Sequence, residues 1–175
     1  LYKLKLNNDT YSFGNINIDI LVKNSFDINK YSYSTFYACL NYFFMKKLSK
    51  LNANINGLIN WNENQPIDKS LIKSTKTFFP NILIKSYQGI IISFDFHFYL
   101  CPTQNEISND VIGDETYVIG DNLHAFIKRF SNNIIVKTAP AFRFMSVNKI
   151  NFNNKLDKTV LILLAYDIKS SLEMV

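Results

Sequence analysis

Apolar and polar positions alternate along YKLKLN (2–7) and again along YSFGNINIDILV (11–22). A period of two is that of a half-exposed strand. Asn7, Asn8 and Asp9 supply a turn between the two stretches. Phe13, Ile16, Ile18 and Ile20 share one face only if Gly14 marks a bulge or turn. The first 30 residues are thus predicted to form a small β-meander. The period then changes. Phe36, Leu40, Phe43, Phe44, Leu48 and Leu51 recur at helical spacing, with Ser34 or Thr35 available as a cap. This predicts an amphipathic helix with one wide apolar stripe turned to the core. Lys46, Lys47 and Lys50 stand in its last turns, where the helix dipole favours cations.

Residues 52–69 are Asn-rich, with Gly57 and Pro66, and read as hairpin or loop. SLIKSTKTF (70–78), ILIKS (82–86) and GIIISFDFHFYL (89–100) read as strands, the last two about a Tyr87-Gln88-Gly89 turn. A second helix is predicted over 115–130, with Asp114 as N-cap and Glu115 in the first turn. Its buried stripe is Ile119, Leu123, Phe126, Ile127 and Phe130, and Lys128 and Arg129 close it. NIIVKTAPAFRFMSV (133–147), a turn-rich stretch (148–158) and a final strand TVLILLAYDI (159–168) follow. No unit repeats at a solenoid period.

Composition narrows the class. A chain of 175 residues suits one domain or two small ones. With 47% hydrophobic and 19% charged residues it has the makings of a folded core. A net charge of +5 is basic but mild, and Arg129 and Arg143 are the only arginines. A protein held mainly by phosphates carries more charge than this. The abundance of Asn, Ile, Lys, Phe and Tyr is the bias of AT-rich coding, as in some organellar genomes. No apolar run approaches the ~18 residues of a membrane span, and with no basic stretch followed by an apolar one near Leu1, no signal peptide is expected. Cys39 and Cys101 are expected to be two reduced, buried thiols rather than a disulfide framework.

The chain is poor in recognisable chemistry. It has no Gly-rich phosphate loop, no C-x-x-C and no H-E-x-x-H. Asp95 and His97 share one strand face and could form an acid–base pair, although a solvated or RNA-facing surface explains them as well. Asp110, Asp114, Glu115 and Asp121 lack the spacing of a calcium loop and read as caps and solvated charges. His124 lies off its helix stripe and should be exposed. No catalytic residue, metal, cofactor or small-molecule substrate is therefore expected. Tyr31, Tyr33 and Tyr37 fall outside the core pattern and are candidate contacts for stacked bases.

One ordered run stands out. CPTQNEI (101–107) is followed by GDETYVIGDNLHAFIKRF (113–130). It resembles the central signature of large-subunit ribosomal protein L-six, a strand ending in Pro-Thr-x-x-Glu-Ile, a glycine loop, and a helix of the form V-[IV]-G-x-x-A-x-x-[IL]-[RK]. Pro102, Thr103, Glu106, Ile107, Gly113, Val118, Ile119 and Gly120 match, with Phe126 at the [IL] position. FFMKKL (43–48) is similar to the end of that family's linking helix without its glycine, and FFPN (78–81) falls at its S-H-P turn, keeping the proline.

The resemblance implies an α+β fold of two tandem small antiparallel-sheet-plus-helix units. Residues 1–42 would be a shortened first unit with the linking helix, 43–150 the rRNA-binding second unit, and 151–175 a C-terminal extension with an extra strand. It implies a structural constituent of the large ribosomal subunit, not an enzyme, resting on rRNA near the factor-binding sarcin–ricin region. Contacts would be mostly to phosphates. Lys46, Lys47, Lys128, Arg129, Lys137 and Arg143 are the rRNA-binding candidates. Aligned on Gly120, the family's first basic position falls on Ile127, so Lys128 and Arg129 are shifted neighbours of it. The family's basic P-E-P-Y-K-G-K-G loop is replaced by residues 131–147, where only Lys137 and Arg143 are charged. Neighbouring ribosomal proteins are then expected partners too, as in a divergent mitochondrial ribosome in the matrix; the cytoplasm of an AT-rich organism is the alternative. Two other readings stay open: a non-ribosomal RNA-binding module, and a small enzyme of thioester-binding type for which Asp95 and His97 offer the only acid–base pair.

Overall fold

The computed structural model describes residues 10–90 and 97–145. The chain divides into two compact units at Phe144, and the first of them holds the elements below. The predicted strands at 2–7 and 159–168, the extension 151–175 and residues 91–96 of the predicted strand 89–100 lie outside the described residues, and Phe98–Leu100 at the end of that stretch is a 3-10 turn rather than strand.

The N-terminal hairpin is present in small form. Ser12–Phe13 (β1) pairs antiparallel with Ile16–Asn17 (β2). Gly14 between them has φ +59°, a conformation that costs glycine nothing. The meander stops there, because Asp19–Asn29 is a helix (α1). Tyr33–Lys50 (α2) forms where a helix is predicted, but its cap is Ser32, whose Oγ accepts from the Thr35 N–H at 3.2 Å.

The orientation of α2 departs from expectation. It lies against the helix Pro66–Phe78 (α3) through its other side. Asn41 Nδ2 donates to Ile67 O at 3.1 Å and to Ser70 Oγ at 3.2 Å, the Tyr42 and Phe78 rings meet at 5.2 Å, and Met45 is buried. Phe36, Leu40, Phe43 and Phe44 are left exposed.

Helix α3 occupies the stretch read as a strand from its Ser, Thr and Ile content. Pro66 opens it and Asp68 caps it, with Oδ2 accepting from the Gln65 N–H at 3.1 Å. Its buried hydroxyls bond back inside the helix, Ser74 Oγ to Ser70 O and Thr75 Oγ1 to Leu71 O, each at 2.7 Å. Residues that favour strands when exposed are thereby satisfied in a helix.

That helix changes the sheet. Gly57–Trp61 (β3), Leu83–Gln88 (β4), Glu115–Val118 (β5) and Val136–Thr138 (β6) form one sheet in the order β3-β4-β5-β6, and every pairing is parallel. The chain is mixed α and β, as expected, but the antiparallel sheet is replaced by a parallel one. A parallel pair needs a crossover of a dozen or more residues, and α3 supplies it between β3 and β4. Gln104–Ser108 (α4) precedes β5, and Leu123–Ile127 (α5) precedes β6.

The predicted helix over 115–130 is thus divided. Glu115–Val118 is strand, Gly120 lies in a turn, and only Leu123–Ile127 is α-helix, followed by a 3-10 turn at Lys128–Phe130. Thr116, Tyr117 and Val118 are β-formers, and a glycine ends the period. Asp114 does not cap a helix; its Oδ2 accepts from the Ile84 N–H at 2.8 Å. Leu123, Phe126 and Ile127 are buried as expected, together with Leu100, Cys101, Val118 and Ile134, whereas Phe130 is exposed.

The two sheet faces differ. Asn60, Ser86 and Thr116 are in register and buried, and Ser86 Oγ donates to Asn60 Oδ1 at 3.1 Å. Trp61, Tyr87, Tyr117 and Lys137 form a row in register on the other, more open face. Strands of parallel sheets usually read as continuous apolar runs. A polar row in the buried face hides β3 inside a stretch that looks like loop.

Candidate functional site

The connections leaving the carboxyl ends of β3 and β4 build a cleft of about 470 Å³. From the first come Asn64, Gln65 and Lys69; from the second come Phe98, Tyr99, Cys101, Thr103 and Glu106; Phe130 closes it. In open parallel sheets the carboxyl ends of strands are where ligands sit, because the connections there can vary without disturbing the sheet.

Each wall is fixed by its local chemistry. Thr103 and Glu106 form a reciprocal capping box at α4: the Glu106 N–H donates to Thr103 Oγ1 at 3.3 Å, and the Thr103 N–H to Glu106 Oε2 at 2.7 Å. Lys69 pairs with the other oxygen of Glu106. Burial works against the Glu106 charge, but the bonds from Lys69 and Thr103 outweigh it and hold the carboxyl below its ordinary value. Asn64 sits at φ +56°, which asparagine tolerates, and its Nδ2 donates to Tyr99 O at 2.9 Å. Its Oδ1 is buried without a hydrogen-bond partner among the described residues.

Gln88, wholly buried at the end of β4, donates through Nε2 to Leu100 O at 3.3 Å and anchors the second wall. Gln104 Oε1 accepts from Ser131 Oγ at 2.7 Å and Asn133 Nδ2 at 3.1 Å, which fastens α4 to the segment after Phe130. Cys101 is buried, its Sγ donating to Phe126 O at 3.2 Å. Burial pushes its thiol up to about 11 against the opposing charge of Arg129, so it stays protonated and unreactive near neutral pH. Cys39, expected to be buried, is exposed on α2.

The predicted rRNA contacts lie on separate elements. Lys46 and Lys47 lie near the end of α2, Lys128 and Arg129 in the 3-10 turn Lys128–Phe130, and Arg143 in another at Phe142–Phe144. Among the described residues no ion pair or hydrogen bond links these groups. Lys137 is committed elsewhere: its ammonium is bonded to Glu115 and lies 6.0 Å from the Tyr117 ring centre. The Glu115 bond raises Lys137 and, in turn, lowers Glu115. His124 is half-buried, with Nε2 2.9 Å from Thr138 Oγ1. Asp95, half of the possible acid–base pair, lies outside the described residues. Among the described residues no group of three or more acidic, His or Cys side chains could hold a metal.

Sequence reading missed Asn64, Gln65 and Lys69, which fall in or next to a stretch taken for loop. The signal that could have found them is Gln65-Pro66 followed by Asp68, a helix start. Thr103 and Glu106 were singled out only as parts of a resemblance, though T-x-x-E is itself a capping signature.

Comparison with family models, curated proteins and solved structures finds no match to the chain. The fold and the site define a class: a mixed α and β unit with a parallel four-stranded sheet and a cleft at its carboxyl edge.

Proposed function

We propose that this unit binds a small organic ligand in the cleft beside β3 and β4. One observation carries the reading: two βα connections of a parallel sheet converge on a concave site with a buried, unpartnered Asn64 Oδ1, a neutralised Lys69–Glu106 pair and the rings of Phe98, Tyr99 and Phe130. Its volume falls within the range of small-molecule sites, which combine apolar walls with a few convergent polar groups. Because Lys69 and Glu106 cancel, the chemistry suits an uncharged molecule with a flat apolar face and hydroxyl or amide groups. The test is a fragment screen read by amide chemical shifts on the full chain. Hits should perturb Asn64, Lys69, Thr103 and Glu106, and Tyr99→Ala with Glu106→Gln should abolish them. Hits that map elsewhere, or that persist in the variant, overturn the reading.

A second reading is a constituent of the large ribosomal subunit, in a mitochondrial matrix or an AT-rich cytoplasm. It is supported by the sequence resemblance over 101–130. It is also supported by Lys46, Lys47, Lys128, Arg129 and Arg143 having no carboxylate partner among the described residues. The parallel sheet and the division of 115–130 at Gly120 are not the architecture that the resemblance implies. In this reading the chain co-sediments with large subunits at moderate salt, and retention at the top of a low-salt gradient excludes it.

A further inference from the structure

The exposed side of α2 is an apolar surface that the cleft does not use. Tyr33, Phe36, Tyr37, Leu40, Phe43, Phe44 and Lys47 recur at three- and four-residue intervals along one side of the helix. All are exposed, Tyr33 at 74%, Phe44 at 57% and Phe43 at 53%. Leu51, just past the helix, continues the line at 66%. An 18-residue helix runs about 27 Å, so this is a long apolar stripe rather than scattered side chains.

Charge says what covers it. No Asp or Glu occurs between Asp27 and Glu63, and α2 ends in Lys46, Lys47 and Lys50. Those three lysines have no carboxylate partner among the described residues. A second copy packed parallel would bring like charges together, and one packed antiparallel would set the lysines against a stripe that carries no carboxylate. An RNA would find few cations and many phenyl and leucyl groups. A surface with anionic headgroups above an acyl layer satisfies both parts: lysines reach the headgroups while their neighbours enter the boundary. Tyrosines at the opposite end of the helix suit the same interface. No helix among the described residues is long and apolar enough to cross a bilayer, so a helix lying in the surface plane is the matching geometry.

We infer that the α2 stripe is a membrane-surface anchor for anionic lipid. The full chain is sedimented with phosphatidylcholine vesicles made with and without phosphatidylserine. Binding should require phosphatidylserine and weaken with salt. Lys46→Gln, Lys47→Gln and Lys50→Gln together should weaken it about a hundredfold, from about a fivefold loss per lysine. Phe44→Trp gives an independent readout, since its added fluorescence should be quenched by brominated lipid. Equal binding to neutral vesicles, no binding, or an unquenched Trp at position 44 overturns the proposal. So does a dimer that Phe36→Ser and Phe44→Ser dissolve, which makes the occupant a second copy, or tighter binding to an RNA homopolymer than to vesicles.

Discussion

At the scale of residues, Phe126 and Glu106 illustrate opposite kinds of stability. Phe126 is 3% exposed amid Leu100, Val118, Leu123 and Ile134. Phe126→Ala should lower unfolding free energy by about 3–5 kcal/mol, measured by denaturant titration. Glu106 contributes through charge. Its folded carboxyl lies below the ordinary value of 4.5, so its stabilisation is present above that pH and is lost as pH falls through the folded value. The gap in urea midpoint between the protein and Glu106→Gln should therefore be widest at neutral pH and close in acid. A gap that is the same at both ends of the range means that the carboxylate charge is not what the site uses.

At the scale of elements, a cap decides where α2 begins. Ser32 Oγ holds the Thr35 N–H, so Ser32→Ala should cost about 1 kcal/mol. Ser34→Ala, at the cap that periodicity suggested, should change stability by a few tenths at most. Thermal unfolding of both variants measures the difference. The same helix shows how far sequence reached. Its existence was legible from the Phe36–Leu51 spacing, but its inward side was not, because a stripe that meets an external surface has the same period as one that meets a core. Residues 83–86 of β4 and the buried part of α5 were legible from branched and aromatic residues, whereas Tyr87 and Gln88, expected to turn, continue the strand. Helix α3 was not, since Ser74 and Thr75 hide their hydroxyls in i−4 bonds. Misreading that helix removed the crossover, and with it the parallel sheet and the cleft at its carboxyl edge. Of the cleft, Cys101, Thr103, Glu106 and Phe130 were in view beforehand, none of them as a wall of a ligand site.

At the scale of the whole molecule, strands β4 and β5 have a neighbour on each side, while β3 and β6 end the described sheet. Native-state hydrogen exchange should be slowest at Ile84, Ser86, Thr116 and Val118 and faster at the alternate amides of β3 and β6. Uniform protection across all four strands means that something further pairs with the outer two. The strand order carries one more consequence. Position in the sheet and position in the chain run the same way, so each strand leaving the ribosome's exit tunnel finds its partner already made. The sheet can lengthen during synthesis along one growing edge, with no earlier pair reopened to admit a later strand. A chain stalled after β5 would present that strand's bare edge to its surroundings until Val136–Thr138 arrives to cover it.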